Sequence, residues 1–324
     1  LELSNKKRIF AINFKAIVMR KAKLYNLLAS IMMLVVALTS CEKFELGSSS
    51  GIDPHDANAN VTIRVQEIQG TSVSPSTKAT DNIVPLDKVC SRLTFAVFDG
   101  DEKLGAINQV STDVDFGTAR FNLDEGEYTL VTIAHSGKGN CTLSNPEKIK
   151  FANNKLTDTF YYYGHLTVDE EGATTELNLK RAVGALHLHI DGNIPDTIKS
   201  IKFYYLGGSS TFDATSGYGN VNSRQTEQFS IEDGMRDFTV YTFPHEEEKN
   251  IKMTISLLNA KGETIKSYQK IDLKMKRNII SNATITLDNS DIKDDDGGKG
   301  NKDKGGIQIS FDPSWEIEED VDFE

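Results

Sequence analysis

The clearest covalent chemistry in this chain belongs to Leu38, Thr39, Ser40 and Cys41, which close the apolar run LYNLLASIMMLVVAL of Leu24 to Leu38 behind Arg20, Lys21 and Lys23. Small residues before a cysteine suit a signal-peptidase pocket, and a thiol is nucleophilic enough to take a diacylglycerol before cleavage. The segment reads as a bacterial lipobox, with a signal peptide over residues 19–40 and lipidation at Cys41. Burying an acyl chain contributes about 0.8 kcal/mol per methylene, and stable anchoring takes more than one chain. A lipidated Cys41 would therefore fix the rest of the protein to a membrane surface. The apolar run is shorter than the ~20 residues that cross a bilayer, and residues 1–18 read as an upstream extension outside the folded protein.

Other groupings carry less. GSSSG at Gly47–Gly51 has the pattern of a hydrolase nucleophile elbow around Ser49, but it lies in low-complexity sequence without the strand–turn–helix that gives the motif meaning. His187, His189 and Asp191 alternate, so on a strand they share one face about 6–7 Å apart at each step. That is part of a coordination sphere, and outward polar residues of a sandwich strand look the same. Asp294–Asp296 lacks the ligand spacing of a calcium loop and reads as solvated linker. No catalytic residue, metal or cofactor is expected. Cys90 and Cys141 are the two cysteines after Cys41; in an exported protein they permit one disulfide, and two separate buried thiols are the equal alternative.

The elements that must position these residues are strands. Residues 41–60 are rich in Gly, Ser, Asp and Asn and read as a tether. From Val61 the chain alternates, with Val61, Ile63 and Val65 apolar and Thr62, Arg64 and Gln66 polar, the period of a half-buried strand. RLTFAVFD (Arg92–Asp99), GTARFNLD and EYTLVTIAH follow, then KRAVGALHLHI, IKSIKFYYL, DFTVYTF, NIKMTISLLN and ATITLDN. Between the first strands, residues 69–82 (QGTSVSPSTKATDN) are a Ser/Thr-rich loop. Short strands at regular spacing predict an all-β protein of two tandem sandwiches. The apolar phase switches near Gly184, from odd positions (Leu177, Leu179, Val183) to even ones (Leu186, Leu188, Ile190), which places the seam there. The predicted domains are 61–182 and 183–289. Residues 290–306 form a charged, Gly-rich linker. The tail, 307–324, opens on a strict alternation of Ile307, Gln308, Ile309, Ser310 and Phe311. Such a strand either folds back on its own domain or adds to another protein's sheet, with Ile307, Ile309 and Phe311 as the donated side chains.

Residues 41–324 hold 29 basic against 46 acidic side chains, a net −17, which excludes an electrostatic case for nucleic acid.

Taken in order, the lipobox, the Ser/Thr-rich loop, RLTFAVFD, GEYTLVTIA, LKRAVGALHLHI around Arg181 and the late KRNIISNATITL resemble the fimbrillin-A-associated anchor family of Bacteroidales fimbriae over residues 41 to about 290. The resemblance implies two transthyretin-like sandwiches on an outer-membrane lipid, a non-enzymatic role at the cell surface, and fimbrial shaft or accessory subunits as partners through β-strand exchange. Related shaft subunits lose their first strand to an arginine-specific protease. Here the tether from Cys41 to Asn60 contains no arginine, which favours an uncleaved anchor, with Arg64 and Arg92 as the sites where cutting would contradict it. Asp196–Ile198 (DTI) resembles the O-glycosylation sequon of these bacteria. The alternative is a surface glycan-binding lipoprotein of a polysaccharide-uptake system, for which the aromatic candidates are Tyr161, Tyr162, Tyr163, Tyr204 and Tyr205.

Overall fold

The computed structural model describes residues 59–69, 71–74, 83–232, 234–247, 249–287 and 317–320, and apart from two short 3-10 turns its regular elements are all strands. The first ten are β1 (Val61–Ile68), β2 (Thr71–Ser74), β3 (Val84–Pro85), β4 (Arg92–Asp99), β5 (Glu102–Val110), β6 (Thr118–Phe121), β7 (Gly126–His135), β8 (Ile149–Lys150), β9 (Thr159–Val168) and β10 (Ala173–Arg181). The alternation seen in the sequence builds β1: Val61, Ile63 and Val65 are buried, while Arg64 and Gln66 face solvent. A bulge between Val65 and Glu67 then shifts the phase, so Ile68 is buried as well.

Strand β1 runs parallel to β10 on one side and antiparallel to β6 and β2 on the other. The path continues through β9, β7 and β4 to β5. Strand β10 makes the turn between layers. It pairs with β1 as far as Leu179, and its last residues, Lys180 and Arg181, pair with Tyr161 and Phe160 of β9. Between the layers lies a core that includes Ile63, Leu93, Phe95, Leu130, Phe160 and Leu177.

The remaining strands are β11 (Gly184–Gly192), β12 (Ser200–Leu206), β13 (Thr211–Asp213), β14 (Tyr218–Gly219), β15 (Arg224–Ser230), β16 (Asp237–Thr242), β17 (Ile251–Leu258), β18 (Thr264–Leu273), β19 (Ile279–Leu287) and β20 (Ile317–Asp320). Eight of them form two four-stranded sheets, β16-β11-β19-β20 and β15-β12-β17-β18, and β13 and β14 join β8 in a small third sheet. Leu186, Leu188 and Ile190 of β11 meet Ile201, Phe203 and Tyr205 of β12 in a second core. The first strand of this set again runs parallel to a late one, β11 to β19.

Between β10 and β11 the buried positions pass from Leu177 and Leu179 to Leu186, Leu188 and Ile190 through a fully buried stretch, Ala182–Ala185. Glycine is required at 184, because a Cβ there would meet the Lys276 carbonyl oxygen at 2.4 Å. Two features tie the halves together. Strand β8 pairs with β13, so a small sheet contains strands of both. A third core joins the outer faces of β4 and β7 (Phe98, Val131, Ile133) to Phe151, Phe212 and Phe243, whose rings stack at 4.9 to 5.3 Å.

This third core explains the texture of RLTFAVFD. Leu93–Phe98 are all buried because one face of β4 serves the first core and the other serves the junction. A near-continuous apolar run is the mark of a strand covered on both faces. The protein is thus all-β, in sandwich layers.

Candidate functional site

The junction is organised by Arg181. Its side chain is 4% exposed because β10 ends by crossing between layers and carries the residue inward. The guanidinium donates two bonds to the Asp158 carboxylate, from Nε at 2.8 Å and Nη2 at 2.9 Å, and one from Nη1 to Asn278 Oδ1 at 2.9 Å. It stacks 4.9 Å from the Phe160 ring centre, and its backbone N–H donates to Gln69 Oε1 at 2.7 Å. Asp158, Phe160 and Gln69 belong to the first half and Asn278 to the second. A planar five-donor fork suits such a bidentate carboxylate and an added amide, which an ammonium would not reproduce.

Beside it opens a cleft of about 510 Å³ whose walls include Lys180, Arg181, Lys249, Lys274, Lys276 and Arg277. Arg277 lies over the Tyr218 ring at 4.7 Å and donates to Gly217 O and the Tyr161 hydroxyl at 3.1 Å each. His245 also lines the cleft; burial and then Lys249 hold its imidazole below the usual histidine range. The only carboxylate among the lining residues is Glu246.

Cys41, Ser49, Asp294–Asp296 and the donor-strand candidates Ile307, Ile309 and Phe311 lie outside the described residues. Cys90 and Cys141 are free and buried, and no bond joins them. Cys90 packs in the first core and Cys141 in the junction core, where its Sγ sits 3.4 Å from Thr94 Oγ1. The two thiols serve different cores, which is why the permitted disulfide is not formed. Burial raises both, Cys90 to about 12 and Cys141 to about 11, so each is a neutral, inert thiol.

His187 and His189 do share a face, but their carboxylate is Asp237 on the neighbouring β16, at 3.3 and 2.8 Å, and not Asp191, which bonds the Gly192 N–H. His187 also contacts Thr239 Oγ1 at 3.1 Å. Among the described residues no group of three potential ligands is arranged to hold a metal ion. The cross-strand partner was beyond reach of a reading along one strand.

The tyrosine cluster disperses. Tyr205 is buried and donates to Tyr241 O, Tyr161 packs on Phe212, and Tyr162 packs against the first core. Tyr163 and Tyr204 are exposed, on strands of different sheets, so they do not form one stacking platform. Thr197 of the DTI segment is exposed in the loop between β11 and β12. Arg64 and Arg92 both sit on strands paired along two sides, β1 between β10 and β6, and β4 between β5 and β7. No helix among the described residues is long and apolar enough to cross a membrane.

Ile317–Asp320 pairs in parallel with Ile279–Asn282, on the side of β19 away from β11.

Comparison with solved structures gives low identities. The fimbrial anchor protein Mfa2 of Porphyromonas gingivalis is 10% identical, with 64% of this chain and 80% of that one covered at a TM-score of 0.34. A Bacteroides ovatus protein described as an adhesin is 13% identical over 79% of this chain and all of its own, at 0.44. A Bacteroides thetaiotaomicron protein described as polysaccharide-binding is 11% identical over 65% and 79%, at 0.42. A search of curated proteins returns no match. The sequence model of one family, however, matches residues 53–321, a span that takes in every strand described above. The chain belongs to the family of fimbrillin-A associated anchor proteins Mfa1 and Mfa2.

Proposed function

We propose that this protein is an outer-membrane lipoprotein, held through a lipid on Cys41 and exposed at the cell surface, that joins a fimbria as its anchor or an accessory subunit by β-strand exchange. The observation that carries the reading is β20, a short segment separated from β19 by residues 288–316 that adds to the β19 edge in parallel register. An edge that accepts a strand from so far along the sequence is suited to accept or exchange one between subunits. Backbone hydrogen bonds then supply affinity and alternate side chains supply specificity. Ile307, Ile309 and Phe311 are the side chains proposed to enter a partner's groove. The fimbrial partner is a shaft or accessory subunit, and the role is mechanical, not enzymatic.

The pairing of β1 supports an anchor that keeps its first strand. A protease binds its substrate extended and unpaired, whereas Arg64 is bracketed by β10 and β6.

The test is electrophoresis of membrane-extracted protein from its host, with and without boiling. Strand-exchanged assemblies give a high-mass ladder that collapses on boiling. The Ile307→Ser, Ile309→Ser, Phe311→Ser variant is expected to run as a monomer in both lanes. A wild type that already runs as one band would end the strand-exchange reading.

A further inference from the structure

The outward face of the sheet β15-β12-β17-β18 is composed by cross-strand register, which fixes the side chains that share it. Tyr204 lies opposite Thr226 of β15 and Thr254 of β17, and Thr254 in turn lies opposite Gln269 of β18. Two residues along β12, a step of about 6–7 Å, Lys202 sits between Gln228 and Ser256. The same step in the other direction brings Leu206 between Arg224 and Lys252. The alternate residues Ile201, Phe203 and Tyr205 belong to the second core, so this set points to solvent. Tyr204, Arg224, Thr226, Gln228 and Lys252 are exposed and Lys202 is half-buried.

The charge of this face runs against that of the molecule. Its cations are Lys202, Arg224 and Lys252, on a protein whose residues 41–324 are net −17. Their side chains have no ion-pair or hydrogen-bond partner among the described residues. Glu227 pairs in register with Phe203 and so belongs to the opposite face, where Lys155 holds its carboxylate at 2.8 Å. Asp272, in the β18 bulge alongside Lys252, is met by Lys270 at 3.4 Å. A tyrosine ring thus stands among cations that are left to an outside anion.

The neutral side chains indicate what carries that anion. Around the ring of Tyr204 they are the hydroxyls of Thr226 and Thr254 and the amides of Gln228 and Gln269, with Leu206 as the one aliphatic neighbour. That is too little apolar surface for the core of a protein interface or for burial in a bilayer. A sugar has the complement of all three features: C–H bonds that pack on an aromatic face, hydroxyls that bond amides and hydroxyls, and, in uronates and sulfated sugars, a negative group. Strand β12 is hydrogen-bonded on both sides, so the face is set before a ligand arrives and little ordering opposes binding.

We infer that this face binds an acidic polysaccharide, with Tyr204 under a sugar ring and Lys202, Arg224 and Lys252 on its carboxylates or sulfates. The charges hold the chain, and the ring selects a sugar over other polyanions. The inference does not depend on strand exchange, because the face belongs to the sheet that lacks β19.

The experiment titrates the full chain, by calorimetry, with polygalacturonate, dextran sulfate, uncharged dextran, polyglutamate and phosphatidylglycerol vesicles. Binding to an acidic polysaccharide is expected; polygalacturonate alone would assign uronate, and dextran sulfate alone sulfate. It should weaken as salt rises from about 0.1 to 1 M and the Debye length shrinks from ~10 to ~3 Å. Tyr204→Ala is expected to weaken it about tenfold, and Lys202→Gln with Arg224→Gln and Lys252→Gln to abolish it, both at an unchanged melting temperature. Tyr163→Ala, an exposed ring on another sheet, should change nothing. The inference is overturned if neither acidic polysaccharide binds, or if Tyr204→Ala binds as tightly as the parent. Equal affinity for dextran, for polyglutamate or for the vesicles would overturn it too, in favour of a neutral-sugar, general polyanion or membrane surface. A loss with Tyr163→Ala equal to that with Tyr204→Ala would place the site elsewhere.

Discussion

The two halves share a plan and differ at one edge. In each, the opening strand runs parallel to a late one, β1 to β10 and β11 to β19. In the first half the parallel pair is closed on both flanks, by β6 and β2 beyond β1 and by β9 at the end of β10. In the second half the flank of β19 is filled by β20, which arrives from beyond residue 316. Unpaired edges are where sheets recruit further strands. The same architecture is therefore closed by near neighbours in the first half and by a segment from far along the sequence in the second, and the proposed strand exchange draws on that difference.

The comparison is broken most directly by uncoupling the halves. Phe243 is fully buried and touches Phe151 of the first half and Phe212 of the second. Phe243→Ala is expected to cost about 3–5 kcal/mol and to split thermal unfolding into two transitions in calorimetry. A single, merely shifted transition would show that the small β8-β13 sheet and Arg181 suffice to keep the halves cooperative.

Arg181→Met comes next. It leaves Asp158, partly exposed at 29%, and the Asn278 oxygen without their donor. With the discount that solvent gives a carboxylate so exposed, the expected loss is about 2–3 kcal/mol, read from chemical denaturation. A loss below about 1 kcal/mol would mean that the ion pair is ornamental and the third core alone forms the joint.

How far all this could be seen in the sequence depends on whether a signal is local. The period of β1 and the phase switch across Gly184 were visible because they involve neighbours in the chain. The double-faced burial of Leu93–Phe98 was present as an apolar run, yet nothing along the strand says that a second body covers its far side. Arg181 stood out through its motif. Its partners Asp158 and Asn278 lie 23 and 97 positions away, set by strand crossing and not by spacing. The basic cleft was invisible for the same reason: its lysines come from Lys180, Lys249 and the 274–276 stretch, and overall composition pointed the other way. Cys90 and Cys141 show the limit of counting, since an even number of cysteines carries no information about which core each enters.

A third prediction concerns pH at the joint. His135, at the end of β7, packs its ring against Phe151 at 5.2 Å, and its Nδ1 accepts the Gly137 N–H. Burial first, and then Arg92, lowers its pKa to about 4. Below about pH 6.5 the unfolded chain takes up a proton that the folded one refuses. Stability from this group is therefore complete above 6.5 and declines as pH falls toward 4. A shift of that size corresponds to roughly 3 kcal/mol as an upper figure. His135→Gln should flatten the slope of stability against pH between 6.5 and 4, measured by denaturation at each pH. An unchanged slope would assign it to other groups, His245 among them.

The smallest expected effect sharpens the comparison by repeating the chemistry of Arg181 where it should not matter. Arg120 on β6 meets Asp115 at 2.7 Å, closer than the Arg181–Asp158 contact at 2.8 Å. Both side chains of the pair are 31% exposed, so water screens them and competes for every donor. Exposed pairs contribute about 0–1 kcal/mol. Arg120→Met should therefore move the melting temperature by no more than about 2–4 °C, in contrast to Arg181→Met. If the two substitutions cost the same, distance and not burial would be setting their worth, and the special place given to the Arg181 joint would have to be withdrawn.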